Sequence, residues 1–160
     1  MRCPNLPATA KCNEKRIRMG QKNEGPPNSR EIVPVLAALI RNETGAYLLA
    51  RRKSTLANGG KWEFPGGKLR GDETPEEGLR REIREELGIG VEVLGPRHLV
   101  RHRYPHLHIL LIGYACRWVE GDLKPVDHDQ IAWVMPGEMT DYELSAADIA
   151  LAHYLSNDSC

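Results

Sequence analysis

The sequence predicts an α/β fold, a mixed sheet packed between helices. Three observations carry that expectation. A capped amphipathic helix is written at 75–87, apolar runs of strand length flank it on both sides, and a second helical pattern lies near 146–155. At 160 residues the chain suits one domain with its own core. Lys plus Arg and Asp plus Glu are equal at 22 each, so there is no electrostatic argument for stable nucleic-acid or membrane binding. No apolar run reaches the roughly 18 residues of a bilayer-spanning helix. The N-terminal residues lack the apolar core of a secretory signal, and a cytoplasmic location is expected.

Taken in order, residues 1–30 read as a flexible polar tail. They carry Pro4, Pro7, Pro26 and Pro27 and few apolar residues, too few to offset the entropy of ordering. Lys and Arg outnumber Asp and Glu there by seven to two, which leaves the domain at 31–157 net acidic. Residues 32–40 read as a buried strand with Pro34 near its start. Asn42-Glu43-Thr44-Gly45 is a turn signal, and 46–52 reads as the returning strand of a hairpin. A loop of small and polar residues at 54–61 leads to a short strand, Trp62-Glu63-Phe64, which runs into Pro65-Gly66-Gly67.

The helix at 75–87 follows from its punctuation. Thr74 is a good N-cap, Pro75 occupies the first helical position where its missing N–H costs nothing, and Glu77 completes a capping box. Gly88 suits the left-handed C-terminal cap. Beyond it, 91–103 reads as a strand interrupted at Gly95-Pro96, and 107–118 as a long apolar strand ending in the turn Glu120-Gly121-Asp122. A short strand at 130–134, one helical turn from Pro136 to Met139 and a helix at 146–155 capped by Ser145 complete the pattern. The cysteines, Cys3, Cys12, Cys116 and Cys160, lack metal-ligand spacing; thiols are expected, with a Cys3–Cys12 disulfide as the alternative.

Leu79, Ile83 and Leu87 form an apolar stripe on the 75–87 helix, and Glu82, Glu85 and Glu86 cluster beside it. Like charges at those spacings repel. Either the face is solvated and salted by Arg80, Arg81 and Arg84, or a cation neutralises it. Hard oxygen ligands at this density suit Mg²⁺ or Mn²⁺ rather than zinc. His102, His106 and His108 lack a matched fourth ligand and are expected as ordinary strand and loop residues.

The glycine loop before the helix decides between the two readings. Gly67, Glu73, Arg81, Glu82, Ile83, Glu85, Glu86, Gly88 and Ile89 fill every position of G-x5-E-x7-R-E-U-x-E-E-x-G-U, with U aliphatic. The chain thereby resembles the Nudix hydrolase family. At background frequencies of roughly 5–7% for each fixed residue type, chance agreement in one window is on the order of one in a hundred million. Trp62 to Lys68, the Arg51-Arg52 pair, Tyr104-Pro105, Val119-Glu120-Gly121 and Trp133 are similar to the MutT-type nucleoside triphosphate pyrophosphohydrolases, and the likeness spans about 32–155. The fold this implies is an α/β/α sandwich with a mixed central sheet and a loop–helix–loop catalytic motif.

The resemblance also implies the site. Glu82, Glu85 and Glu86 become metal ligands, with Glu82 or Glu86 as proton acceptor; Gly66 joins the metal set, and Asp127 matches a further carboxylate, with Asp129 as its rival. Arg52, Phe64, Lys68, Tyr104 and Asp148 fall at substrate-binding positions, Asp148 at the base-reading one. Gly67, Glu73, Arg81 and Gly88 are structural members of the box. Asp148 has a second reading, since it lies three residues after Ser145 and suits a helix cap. An ionised Asp only accepts hydrogen bonds, so it suits cytosine N4 or the N–H groups of guanine.

The implied activity is Mg²⁺-dependent hydrolysis of a (deoxy)nucleoside triphosphate to monophosphate and pyrophosphate, in nucleotide-pool sanitation, with Mn²⁺ as a substitute cation. The alternatives are another nucleoside diphosphate-linked substrate such as ADP-ribose, and a non-catalytic nucleotide-binding module. The expected partner is a small nucleotide, with the chain a monomer or a homodimer.

Overall fold

The structure, a computed structural model, describes residues 31–158; the tail at 1–30 lies outside them. Seven strands, β1 (Ile32–Ile40), β2 (Tyr47–Arg52), β3 (Trp62–Glu63), β4 (Gly66–Lys68), β5 (Gly90–Tyr104), β6 (Leu107–Glu120) and β7 (His128–Val134), combine with helices α1 (Pro75–Leu87) and α2 (Ala146–Asn157). A 3-10 turn at Pro136–Asp141 precedes α2. Among these residues no helix is long and apolar enough to cross a membrane.

The strands form two sheets, ordered β4-β1-β6-β5 and β3-β2-β7. The first is mixed: β1 runs parallel to β6 and antiparallel to β4. Alternation along β1 builds both sides of the sandwich. Leu36, Ala38 and Ile40 join Leu79, Ile83 and Leu87 of α1 in one core, and Ala37 and Leu39 join Leu151, Ala152 and Leu155 of α2 in the other. The period of two in a strand sends neighbours to opposite faces, so a strand buried on both sides reads as a continuous apolar run.

The expected β1–β2 hairpin does not form. The chain does turn tightly, with Asn42 N–H donating to Ala46 O at 2.9 Å and a single bridge from Arg41 to Tyr47. Both edges of β1 are already occupied, by β4 and β6, so β2 has no edge to join and pairs with β3 and β7 instead. The glycine segment expected as loop supplies the edge strand β4. Gly95-Pro96 does not end β5; the strand absorbs them through register shifts against β6.

Helix α1 matches its expected bounds. Glu77 N–H donates to Thr74 Oγ1 at 3.3 Å, Thr74 N–H donates to Glu77 Oε2 at 2.9 Å, and Gly88 caps the other end at φ 71°. Its last carbonyls are used as well: Val126 N–H donates to Glu86 O and Lys124 N–H to Leu87 O, both at 2.8 Å. Those two bonds fasten the segment after β6 to the acidic end of the helix. Ser145 stands at the N-cap of α2, but its hydroxyl donates to the Asp148 carboxylate and makes no bond to a backbone N–H. Ser145 thus holds the expected cap position but meets the third residue of the helix through the Asp148 carboxylate rather than through a backbone N–H.

Candidate active site

A cavity of about 600 Å³ lies where β1, β3, β4, α1 and the start of α2 meet. Its acidic wall begins with two glycines. Gly66 has φ 151°, and a Cβ there would sit 2.1 Å from Leu36 O. A Cβ on Gly67 would sit 2.5 Å from Glu82 Cδ, so the missing side chain is the space the Glu82 carboxylate fills. Gly66 N–H donates to Glu86 Oε2 at 3.1 Å.

The three clustered acids separate. Glu82 and Glu86 line the cavity, whereas the Glu85 side chain is 54% exposed and pairs with Arg81 at 3.3 Å. Helix geometry explains the split. At about 100° per residue, Glu86 sits ~60° from the centre of the Leu79/Ile83/Leu87 stripe, Glu82 ~100° and Glu85 ~160°. Docking the stripe turns Glu86 inward, keeps Glu82 at the edge and sends Glu85 outward.

Arg81 holds the wall together. Its Nε and Nη2 donate to both oxygens of Glu73, at 3.0 and 2.6 Å, and Nη1 donates to Glu82 Oε1 at 2.6 Å. Glu73 Oε1 also accepts from Arg70 N–H at 3.0 Å, which ties the loop to the helix. The bidentate bond to Arg81 holds the Glu73 carboxyl down to about 2, and the same bond raises the guanidinium. Glu86 behaves oppositely. Burial pushes its carboxyl up to about 7, reinforced by Glu63 and Glu82 and opposed by His128 and the Gly66 N–H.

A second wall is built where α2 docks on β3. Trp62 N–H donates to Glu143 O at 2.9 Å, and Ser145 N–H to Trp62 O at 2.8 Å. That contact brings Asp148, 5% exposed, against Phe64, whose N–H donates to Asp148 Oδ1 at 3.0 Å. Burial lifts the Asp148 carboxyl to about 7; the bonds from Ser145 and Phe64 pull it down and Glu63 pushes it up. Tyr104 lines the cavity with its ring edge-on to His102 at 4.4 Å. Lys68 is exposed at the rim and, among the described residues, makes no ion pair.

Two residues of this site, Glu63 and His128, are not singled out by the sequence, although Glu63 lies within the Trp62 to Lys68 segment. Glu63 Oε1 accepts from Arg52 Nη1 at 3.1 Å and lies 3.0 Å from Nε2 of the buried His128. Those partners are up to 65 positions apart in the chain, so only folding joins them. Arg52 lines the cavity, but its guanidinium is shared between Glu63 and Ala57 O. Asp127 is exposed, with its carbonyl accepting from Lys53 N–H at 3.2 Å, and it does not line the cavity. Asp129 is paired with Arg51 at 2.8 Å, and the member of that trio that turns inward is His128. Among the described residues no three His, Cys, Asp or Glu side chains form a ready metal cage, the strand histidines included.

The acidic wall nevertheless fits a hard divalent cation. It offers two carboxylates from one helix row, one of them held up in pKa by burial and like charge, which a cation would reverse. Mg²⁺ characteristically binds through one or two carboxylates and keeps several waters for substrate phosphates. Zinc sites are built mainly on nitrogen and sulfur ligands, and the Glu82–Glu86 row offers oxygen alone.

Sandwich, glycine strand and acidic helix row together define a loop–helix–loop hydrolase of the α/β class. The chain belongs to the Nudix family: the model for the NUDIX domain matches residues 36–154. It is 37% identical over 125 residues to the CTP pyrophosphohydrolase of Escherichia coli K12, covering 76% of this chain and 89% of that one. It is 45% identical over 151 residues to a MutT-like protein of Streptomyces ambofaciens, covering 89% and 94%. An 8-oxo-dGTP diphosphatase of Haemophilus influenzae is 30% identical over 130 residues, with 81% and 96% covered. The crystal structure of a MutT protein from Methanosarcina mazei superposes with a TM-score of 0.73 at 30% identity, covering 80% of this chain and 95% of that one. Nudix hydrolases generally use divalent metal ions.

Proposed function

We propose that this chain hydrolyses (deoxy)nucleoside triphosphates to the monophosphate and pyrophosphate with Mg²⁺, clearing cytosine or oxidised purine nucleotides from the pool. The observation that carries the reading is one cavity with two kinds of wall. The Glu82–Glu86 row stands against Gly66 and Gly67, and the buried Asp148 stands beside Phe64. The first wall suits a polyphosphate with its cation, and the second suits a base edge.

Bound at Glu82 and Glu86, the cation would screen the phosphate charge and orient the attacking water. The protein contributes the rest. Lys68 and Arg70 at the rim supply positive charge to the phosphates. Glu82 or Glu86, through whichever oxygen the cation leaves free, accepts the proton of the water. Asp148 spends one lone pair per oxygen on Phe64 N–H and Ser145 Oγ–H, which leaves acceptor capacity for a base N–H. The relative named CTP pyrophosphohydrolase supports a cytosine nucleotide, and those named 8-oxo-dGTP diphosphatase support an oxidised purine.

Pyrophosphate release is the test. With Mg²⁺, one or more of CTP, dCTP, 5-methyl-dCTP, dGTP and 8-oxo-dGTP yields monophosphate and pyrophosphate, and EDTA abolishes the reaction. Cleavage of ADP-ribose alone, or no release from any of them, overturns the reading.

A further inference from the structure

The loop between β2 and β3 carries an unusual backbone. Asn58 has φ 58° and is the sole non-glycine residue with positive φ among those described. Glycine adopts this conformation freely and other residues resist it, Asn least. Glycine follows at 59 and 60, so a chain that needed only the turn had the simplest residue at hand. The Asn58 side chain is exposed on the cavity wall, and among the described residues its carboxamide makes no hydrogen bond. Strained backbone with an unspent polar group on a cavity wall is the arrangement that function maintains.

The loop is also held still. Arg52 Nε donates to Ala57 O at 2.8 Å, one residue before Asn58, and Gly60 N–H donates to Arg52 O at 2.9 Å. Arg52 is itself gripped by Glu63, and Glu63 by His128. Two of the five guanidinium N–H groups of Arg52 are thus engaged, one on the loop and one on Glu63. These bonds hold the loop backbone in place, which lowers the entropic cost of bringing its tip residue to a ligand.

We infer that Asn58 is a specificity-determining residue, reading the nucleoside of the bound nucleotide together with Asp148. A neutral carboxamide that both donates and accepts suits the polar edge of a base or sugar, whereas phosphate is met by cations. Arg52 is the positioning residue that fixes it. This inference rests on the nucleotide reading above.

The test is Asn58→Gly, which keeps the left-handed backbone and removes the carboxamide. The readout is the ratio of kcat/KM between the best and second-best substrates among CTP, dCTP, dGTP and 8-oxo-dGTP. It is measured well below each variant's thermal midpoint, so stability does not enter it. Losing one discriminating hydrogen bond changes that ratio roughly tenfold. Asn58→Asp, which keeps the shape and exchanges the amide donor for charge, shifts it too. A ratio unchanged in both variants, with wild-type turnover intact, overturns the inference and leaves Asn58 a turn residue. Wild-type protein that releases pyrophosphate from none of the four, nor from 5-methyl-dCTP, overturns the nucleotide reading and this inference with it.

Discussion

Replacing Asp148 by Asn tests the electrostatics of the second wall most directly. The carboxyl is almost fully buried, and its pKa rises from 3.8 to about 7 on folding. A folded-state pKa above the unfolded value means the native protein prefers the protonated acid. Stability from this group is complete below pH 3.8 and is lost as pH rises through 7. The full shift corresponds to a deficit on the order of 4 kcal/mol in the ionised form, of which roughly 2–3 kcal/mol develops between pH 5 and pH 8. Asn carries no charge to bury. Its carbonyl can still accept from Phe64 N–H, and its amide can donate to Ser145 Oγ. Urea unfolding of wild type and Asp148→Asn at several pH values should show the variant gaining on wild type by about 2 kcal/mol over that range, then levelling off. Contributions from Glu86 cancel in the difference. A stability difference that does not change with pH would refute the argument that burial sets the Asp148 pKa.

Three further perturbations separate the parts of the acidic wall. Glu86→Gln should cut kcat at least a hundredfold while leaving the fold intact by circular dichroism, and near wild-type turnover would remove Glu86 from the site. Gly67→Ala places a methyl where the Glu82 carboxylate lies, 2.5 Å from Cδ. Turnover should therefore fall by an order of magnitude or more at unchanged helix content, because the carboxylate has to leave the wall. Leu79→Ala removes a fully buried side chain from beneath α1 and should cost about 2–5 kcal/mol in urea unfolding; a loss below about 1 kcal/mol would mean the stripe does not anchor the helix.

Helix α1 was legible residue by residue because everything that delimits it is local. Thr74, Pro75, Glu77 and Gly88 act through backbone groups within one turn of themselves. The division of the acids was legible as well, though harder to read. The stripe of Leu79, Ile83 and Leu87 marks the buried direction, and the angle of each Glu from it separates Glu85 from the other two. Treating the three as one cluster overlooks that rotation. Strand pairing was not legible. The turn at 42–45 is real, yet whether it makes a hairpin depends on whether β1 has an edge free, and β4 and β6 arrive from elsewhere in the chain. The Ser145–Asp148 bond lies within one helical turn and was within reach of the sequence; the burial of that carboxylate against Phe64 was not, because it comes from the docking of α2 on β3.

By itself the sequence determined the α/β class, the acidic helix with its caps, the apolar stripe and the box that marks the family, since these depend on periodicity and nearest-neighbour chemistry. Only the tertiary structure decided which groups meet across the cavity. Glu63, Arg52 and His128 converge from three strands, Asp148 is buried against Phe64, Asp127 stays outside, and Asn58 is held on the wall in a left-handed conformation. The physical reason is the range of the forces involved. Caps and helix faces are set within one turn of chain, whereas burial, desolvation and ion pairing between distant residues exist only after the sheets and helices have packed.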